Sequence, residues 1–562
     1  MELNKEDIFK KIVKEYSSSS FEVAEEMCIE FLEKYPEDIR VLNILGALFV
    51  QKNNFIEAIK YFEKTINIKK DYAIGYNNLG LVYRSMNKDD IALNYFQKAI
   101  YYKDDYKEAY NNIAITYQSL RKNEEATKFL EAAINIDNNY FQPFYNLGNI
   151  KAENKQFNEA LSLYIKCHEL NPNYYPCIIN MGNAYSEIGD LENAILFMQK
   201  AQNIDPNNSQ AAFNLGNIFY RYGKLNKAIE IYKNGLKINS ENQEIKLRLG
   251  ICYKEIGDRK NAFQILQEII SKNSENSEAN YHIGLMFYED NNDCEAIKYL
   301  EKSKFKNFDE LSLVSYYRLE KFDKFKSKLK EVSKTNKDSR VISALSAHYS
   351  FSFDKKDTYD FCPDPLDFVY KSKLEELEKN EEFRENILKI IDNDNTDHRE
   401  SGVVVRGIQS TGNFLYKDNE NIQKLKNLII KEIEKYKNTF KERENILIKN
   451  FPKEIIFNNS WFIKLKNAGH LNPHYHHSGW LSGAVYIKIP KKNNHLNSGD
   501  FVVGILGDKF PKIKENYIEK IINIKTGNIV LFPSSLFHRT IPFESDEERV
   551  CIAFDVAPEP IH

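Results

Sequence analysis

The pattern of apolar and polar positions changes once along the chain. As far as about residue 306 it repeats with a 34-residue step. Glycine stands at Gly46, Gly80, Gly148, Gly182, Gly216, Gly250 and Gly284, and Ala114 fills the slot that lacks it. Twelve positions after each comes alanine, at Ala58, Ala92, Ala126, Ala160, Ala194, Ala228, Ala262 and Ala296, with Ala24 one unit earlier. An aromatic often follows the small residue by three positions, as at Tyr83, Tyr117, Tyr185, Phe219, Tyr253 and Phe287, and Pro36, Pro172 and Pro206 close units. The step predicts antiparallel helix pairs that approach closely where small residues face each other, with rings filling the gap beside them. Glycine within a helix costs about 1 kcal/mol against alanine, so its recurrence implies a packing demand.

This period and its small-residue positions resemble the tetratricopeptide repeat. Eight full units and one partial unit cover roughly residues 8–306, and residues 307–345 read as a degenerate unit that caps the stack. Two residues before the small slot stands asparagine, at Asn78, Asn112, Asn146, Asn180 and Asn214, and a second set, Asn149, Asn183 and Asn217, lies one helical turn along the same face. The run is similar to the asparagine ladder in the superhelix of O-linked N-acetylglucosamine transferases. That resemblance implies a concave groove in which these amides hold an extended protein or peptide. Asparagine is a poor helix former, so five in register need a reason; the alternative is a polar stripe facing solvent.

From Ser346 to about residue 400 the period is gone. Tyr359–Val369, with two prolines and several aromatics, reads as an ordered strap packing between domains, followed by a helix near Leu374–Lys389. Beyond residue 400 short runs rich in β-branched and aromatic residues predict strands at Trp461–Lys466, Leu481–Ile489, Phe501–Gly504, Ile521–Ile524, Asn528–Phe532 and Arg549–Val556, preceded by a helix at about Asn421–Lys437. These runs predict an antiparallel sheet or barrel with a helical flank; the expected order is an all-α tetratricopeptide-repeat superhelix (1–345), a connector (346–400) and this mainly-β domain (401–562).

Histidines crowd the last part of the chain, at His470, His474, His476, His477, His495, His538 and His562. In an extended segment His474 and His476 point to one face, a spacing at which two imidazoles can chelate one cation. His538 is a third candidate after a strand and turn, and Arg549 opens the last predicted strand. Three ligands on one face of a metal leave positions open for a co-substrate and oxygen. An arginine facing into a barrel needs an anion, and a carboxylate answers it with two parallel hydrogen bonds.

Residues 403–557 resemble the tetratricopeptide-linked 2-oxoglutarate/iron(II) oxygenase family throughout. The resemblance is carried by Arg406-Gly407-Ile408-Gln409-Ser410-Thr411-Gly412-Asn413, by Pro473-His474-Tyr475-His476 with Gly479-Trp480-Leu481-Ser482-Gly483, by Leu531-Phe532-Pro533-Ser534, by His538-Arg539-Thr540-Ile541-Pro542-Phe543 and by Glu548-Arg549-Val550-Cys551-Ile552-Ala553-Phe554. The connector's Phe361-Cys362-Pro363-Asp364-Pro365 is similar to what precedes the barrel in that family. The resemblance implies that the mainly-β domain is a double-stranded β-helix, or jelly roll, that His474, His476 and His538 hold Fe(II), that Arg549 anchors 2-oxoglutarate, and that Tyr486 is a further candidate for the same carboxylate. No catalytic residue is expected beyond the metal centre. Two positions depart from the wider superfamily: His476 stands where an acid is usual, and Cys551 replaces a serine two residues after the arginine. His470 and His477 are read as neighbours of the site or substitute ligands, His495 and His562 as surface or core residues, and Asp500 and Asp508 as solvated turn residues.

Composition narrows the picture further. Lysine and arginine (78) are balanced by aspartate and glutamate (81), a net charge of −3, so a nucleic-acid or membrane-surface partner is not expected. No apolar run is long enough to span a bilayer and the start of the chain is polar. The seven cysteines include no CxxC pair, which suits a reducing cytoplasm. The expected activity is a 2-oxoglutarate/Fe(II)-dependent dioxygenase that decarboxylates its co-substrate to succinate and hydroxylates a protein or peptide presented by the repeats. The alternatives are a non-catalytic metal-binding scaffold for protein–protein interaction, and an oxygenase of a small molecule or glycan.

Overall fold

The computed structural model describes residues 4–394, 398–399, 403–411, 413–491, 497–507 and 509–558. Gly412, His495, Asp508 and His562, named above, lie outside the described residues. The chain falls into two compact units, Met1–Ile265 and Leu266–His562. Among the described residues, no helix is long and apolar enough to cross a membrane.

The first unit is a series of helix pairs, beginning Lys5–Ser17 with Phe21–Lys34 and Ile39–Gln51 with Phe55–Ile68 and running on to Gln243–Glu255. The demand behind the glycine slot is visible in the next helix, sixteen residues on. A Cβ on Gly80 would lie 2.5 Å from the Phe96 ring, one on Gly148 2.5 Å from Tyr164, and one on Gly216 2.2 Å from Tyr232. At Ala114, the position that tolerates a methyl group, the corresponding residue is Leu130 instead of an aromatic ring. The aromatic three positions after the slot has its own partner twelve residues further on: Tyr83 stacks on Tyr95 at 5.3 Å, Tyr117 on Phe129 at 5.7 Å and Tyr185 on Phe197 at 5.5 Å. Each pair turns on one left-handed residue, again in 34-residue steps: Ser19, Asn53, Asn87, Arg121, Lys155, Gly189, Gly223 and Gly257. Glycine adopts that conformation without strain, and asparagine pays less for it than most residues.

The second unit opens with the helices Ser277–Glu289 and Asp293–Leu300, where Gly284 again faces Leu300. The degenerate segment folds as Phe308–Arg318 and Phe322–Val332, followed by Arg340–Ser352. Leu313, Tyr317, Phe325, Ile342 and Leu345 from these helices share one hydrophobic cluster with Trp480, Val550, Ile552 and Phe554 of the strand region. His348 is fully buried there, 2.6 Å from the Tyr317 hydroxyl and stacked 4.8 Å from Tyr517.

Among the described residues ten strands follow: β1 Tyr370–Lys373, β2 His398–Arg399, β3 Val404–Ser410, β4 Phe457–Leu471, β5 Leu481–Lys488, β6 Phe501–Gly504, β7 Glu519–Ile522, β8 Asn528–Pro533, β9 Phe537–Thr540 and β10 Arg549–Val556. They form a seven-stranded sheet in the order β1-β8-β5-β10-β4-β3-β2 and a three-stranded sheet in the order β7-β6-β9, antiparallel throughout. A bridge between His474 and His538 adds the segment before β5 to the free side of β9. The chain therefore crosses between two sheets as it runs from β4 to β10, the arrangement of a jelly roll.

Several elements differ from the expectation. The connector supplies an edge strand, β1, paired with β8 from Tyr370↔Leu531 to Lys373↔Asn528. The segment expected to be one helix is two, Glu375–Lys379 and Glu381–Asp392, because Asn380 between them caps the second by accepting from the Phe383 amide. The strands β3 and β9 were not among those expected; β9 carries His538 and follows the expected strand, β8, and its turn.

Period two divides β10 between two cores. Val550, Ile552, Phe554 and Val556 face the cluster that also holds Ile422, Leu425, Ile429 and Ile433 of the helix Glu420–Thr439. Cys551 and Ala553 face a second cluster with Ile463, Tyr486, Phe501 and Phe532, between the sheets.

Two outcomes follow for stability. Gly80→Ala is expected to cost about 1–3 kcal/mol by overpacking against Phe96, and adding Phe96→Leu should recover most of the loss by recreating the Ala114–Leu130 pairing; urea midpoints of the single and double variants read both. Burial lowers the His348 pKa from 6.5 to about 4, so the fold holds a neutral imidazole. As pH falls, the unfolded chain takes up that proton first. The His348 contribution is therefore intact above 6.5 and is lost as pH falls through about 4, by up to ~3 kcal/mol. His348→Gln should flatten the fall in unfolding midpoint between pH 7 and pH 5 relative to the parent chain.

Candidate metal centre

His474, His476 and His538 meet between the two sheets, with one ring nitrogen of each within 4.8 Å of the others. Backbone bonds fix the loop that carries the first two: the His474 and His538 amides each donate to the other's carbonyl, and the His476 amide donates to Ser534 O. Tyr475, between them, turns the other way and packs against Phe537 at 4.9 Å. Arg340, in the helix Arg340–Ser352, donates to His477 O, and Ser343 of that helix lies 3.3 Å from Ser535. The last helices thus brace both loops that present the histidines.

The hydrogen bonds also set which nitrogen is free. Nδ1 of His474 lies 2.8 Å from Asn472 O, that of His538 3.4 Å from Leu536 O, and that of His476 2.6 Å from Asp555 Oδ1. Carbonyl and carboxylate oxygens only accept, so Nδ1 carries the proton in each ring and Nε2 keeps its lone pair. Burial lowers the His474 pKa to about 4, with His476 adding to the shift, and holds His538 well below the usual histidine range. Neutral imidazoles sharing one small space are what a transition metal requires.

The three histidines border a cavity of about 230 Å³ whose walls are mostly apolar, among them Ile463, Leu471, Phe501, Phe532 and Ala553. Arg549 reaches into it at 1% exposure. Its guanidinium lies over the Tyr486 ring at 5.1 Å, and its one hydrogen bond among the described residues is a long contact to the Cys551 sulfur, 3.8 Å. Arg549 Nε, Tyr486 Oη and Thr540 Oγ1 are buried with no hydrogen-bond partner among the described residues. Burial raises the Tyr486 pKa, opposed by the neighbouring Arg549 charge, so the phenol stays protonated and able to donate. A buried cation and two unsatisfied hydroxyls on one cavity fit a carboxylate, which accepts from all of them. The residues present therefore fit both a divalent metal and a dicarboxylate co-substrate.

Sequence reasoning singled out these three histidines, Arg549 and Tyr486 but missed four side chains. Thr540 joins Arg549 and Tyr486 on the cavity wall. Trp461 and Gln409 line both this cavity and an adjoining cleft of about 510 Å³, and Trp461 lies 5.4 Å from the His476 ring. Asp555 bonds His476 and stands at the same strand parity as Arg549, a signal present in Arg549-Val550-Cys551-Ile552-Ala553-Phe554-Asp555. The His470 ring lies 3.3 Å from the Ala468 carbonyl of its own strand, β4, and His477 is exposed; neither joins the cluster. Asp500 corrects an expectation: it is fully buried instead of solvated, and accepts from the Ile524 amide across the fold.

In the first unit the predicted asparagines bond from repeat to repeat. Asn78 donates to Asn43, Asn112 to Asn77, Asn146 to Asn111 and Asn180 to Asn149, at 2.7–2.9 Å. Asn214 accepts from Gln210. The second set meets ring hydroxyls, Asn149 from Tyr164 and Asn217 from Tyr232. Beside the ladder lies a hollow of about 310 Å³ lined by Asn149, Glu153, Tyr164, Asn180, Asn183 and Glu187 among others.

Comparison with known proteins matches the repeats and the strand region to different families. Residues 459–555 match the family described as "Putative 2OG-Fe(II) oxygenase". Tetratricopeptide-repeat models match residues 39–72, 74–101, 107–140, 151–215 and 219–282. The chain therefore joins tetratricopeptide repeats to a domain of that oxygenase family. Solved structures similar to part of it include MamA (21% identity, 28% of this chain and 93% of that one, TM-score 0.25), YrrB, described as a TPR protein with an unusual peptide-binding site (21%, 33% and 95%, TM-score 0.27), and pilF of Pseudomonas aeruginosa (18%, 37% and 94%, TM-score 0.33). No curated protein matches the chain.

Proposed function

We propose that this protein is a 2-oxoglutarate- and Fe(II)-dependent dioxygenase that hydroxylates a protein or peptide, with His474, His476 and His538 as metal ligands and Arg549, assisted by Tyr486, as the co-substrate anchor. The observation that carries this reading is the Arg549 guanidinium, buried with no anionic partner among the described residues, on the same cavity as three imidazoles. Iron(II) with 2-oxoglutarate and oxygen supplies, when bound, the oxidising power to convert a C–H bond to C–OH, with succinate and carbon dioxide as co-products. The chain's own part is placement. Three imidazoles bring one ring nitrogen each within 4.8 Å of the others while Nδ1 of each is held by an oxygen, and three ligands leave the remaining positions for exogenous groups. Arg549, Tyr486 and Thr540 bind and orient a carboxylate, which fixes the co-substrate's register against the metal. The apolar walls exclude water and strengthen these polar contacts. Trp461 and Gln409 line the approach from the adjoining cleft, where a substrate would lie beside His476.

We further propose a division into repeats (1–345), connector (346–400) and barrel (401–562), with a cytoplasmic setting. The substrate class rests on the hollow beside the asparagine ladder. Each repeat-to-repeat bond takes one of the two N–H groups of an asparagine amide, so a bound peptide would use Asn183 and the second N–H of ladder residues.

The activity is tested by anaerobic titration of Fe(II) and 2-oxoglutarate into the protein, following the visible charge-transfer band of the chelate. A band in the parent chain is expected, absent in His538→Ala and needing on the order of thirty-fold or more 2-oxoglutarate in Arg549→Ala, the cost of truncating one partner of a buried charge pair. Metal binding with no band at any 2-oxoglutarate concentration would leave a metal-binding scaffold. The groove is tested separately. Asn183→Ala with Glu187→Ala should weaken capture of substrate peptides with the helical melting temperature unchanged; unchanged capture would remove the groove from the reading.

A further inference from the structure

We infer that Asp555 positions His476 for the metal and supplies the negative charge that the His-x-His sequence lacks, a role that rests on reading His474, His476 and His538 as the metal ligands. Asp555 is 2% exposed, and among the described residues its ion pair is with His476. Its Oδ1 accepts from His476 Nδ1 and from Ser482 Oγ, both at 2.6 Å, and Ser482 lies 2.8 Å from Ser534 Oγ. The other two histidines are turned by neutral backbone carbonyls; at His476 alone the acceptor carries a charge.

The charge matters because of what stands at position 476. A divalent metal held by two histidines and one carboxylate leaves a site of charge +1, whereas three neutral imidazoles leave +2. Asp555, one imidazole further out, returns the local sum to +1. Through Nδ1–H it also makes His476 a stronger donor and fixes its ring plane. A buried carboxylate is costly without a positive partner, and a metal on the far side of the ring provides one.

The surrounding chain is shaped to this contact. Ser482 is the register partner of Asp555 across β5 and β10. Gly479 leaves no room for a Cβ, which would lie 2.7 Å from Ser534 Oγ and 3.1 Å from both Asp555 Cβ and Cγ. Asp555 faces the same side of β10 as Arg549, six residues away or roughly 20 Å along the strand. One strand face thus presents a cation at the co-substrate end and an anion at the metal end.

The test is titration of cobalt(II) alone into the metal-free, full-length chain, read by its visible d–d absorption, with melting temperatures of the metal-free variants measured alongside. Asp555→Asn is expected to raise the cobalt Kd 10–100-fold and to shift the d–d band. Ser482→Ala should raise the Kd by a smaller factor, and Glu376→Gln, which removes an exposed carboxylate paired with Lys424, should leave it unchanged. Asp555→Asn with a lowered melting temperature but the parent Kd and spectrum would make Asp555 a purely structural residue and overturn the inference. Should that variant fail to fold, an unchanged Kd and spectrum in Ser482→Ala overturns it instead. A parent chain that binds no cobalt defeats the metal reading itself and this inference with it, whereas a failure confined to the variants leaves the metal reading standing.

Discussion

Almost no water reaches Arg549, and the rest of the barrel is arranged around that fact. A guanidinium between two apolar sheets is tolerable only with an anion to meet it, so the surrounding wall is a binding surface as much as a core. The same burial that isolates the cation lowers the pKa of His474 and His538, and neutral imidazoles are the form that binds metal. Apolar lining, cation and histidines are thus one constraint: a dry interior makes each polar group on it worth more, and makes an unanswered one untenable.

The repeats solve a different packing problem with equal economy. A side chain from the second helix fills the space that glycine leaves in the first: a ring opposite Gly80, Gly148 and Gly216, Met198 opposite Gly182 and Leu300 opposite Gly284, while Leu130 stands opposite Ala114. The asparagines of the ladder are bonded to asparagines of the preceding repeat along the stack. Their register has a structural cause before any ligand is considered. In the second unit the last helices enter the hydrophobic cluster of the barrel and, through Arg340 and Ser343, hold the loops carrying His477 and Ser535.

Much of this was legible in the chain itself, and the omissions share a cause. Repeat period, helix pairing and the histidine set could be read because each is a local spacing. The partner of each glycine sits in a neighbouring helix, and its necessity appears only once the Cβ positions are known. β1 was hidden because Tyr370–Lys373 is short and polar, with alternating exposure at a sheet edge. β9 was hidden because Phe537–Thr540 is only four residues long and follows a proline turn. Asp500 looked like a turn residue and is one by position, but the fold closes over it to reach Ile524. Asp555 was within reach: an acid at the parity of Arg549 in an otherwise apolar strand needs a reason, and the reason lies across the sheet at His476.

The placement of Arg549 and Asp555 on one face of β10 has a consequence for how this barrel can change over evolutionary time. Side chains in a strand alternate, so a single inserted or deleted residue between these two would turn one of them out of the interior and leave the other in place. Cys551 and Ala553, which lie between them, can be exchanged for other small residues one at a time, since that alters only the lining. Length cannot drift in the same way. The segment behaves as a ruler whose graduations are free to vary and whose span is not, and lineages descended from this sequence should carry substitutions within β10 but no gaps.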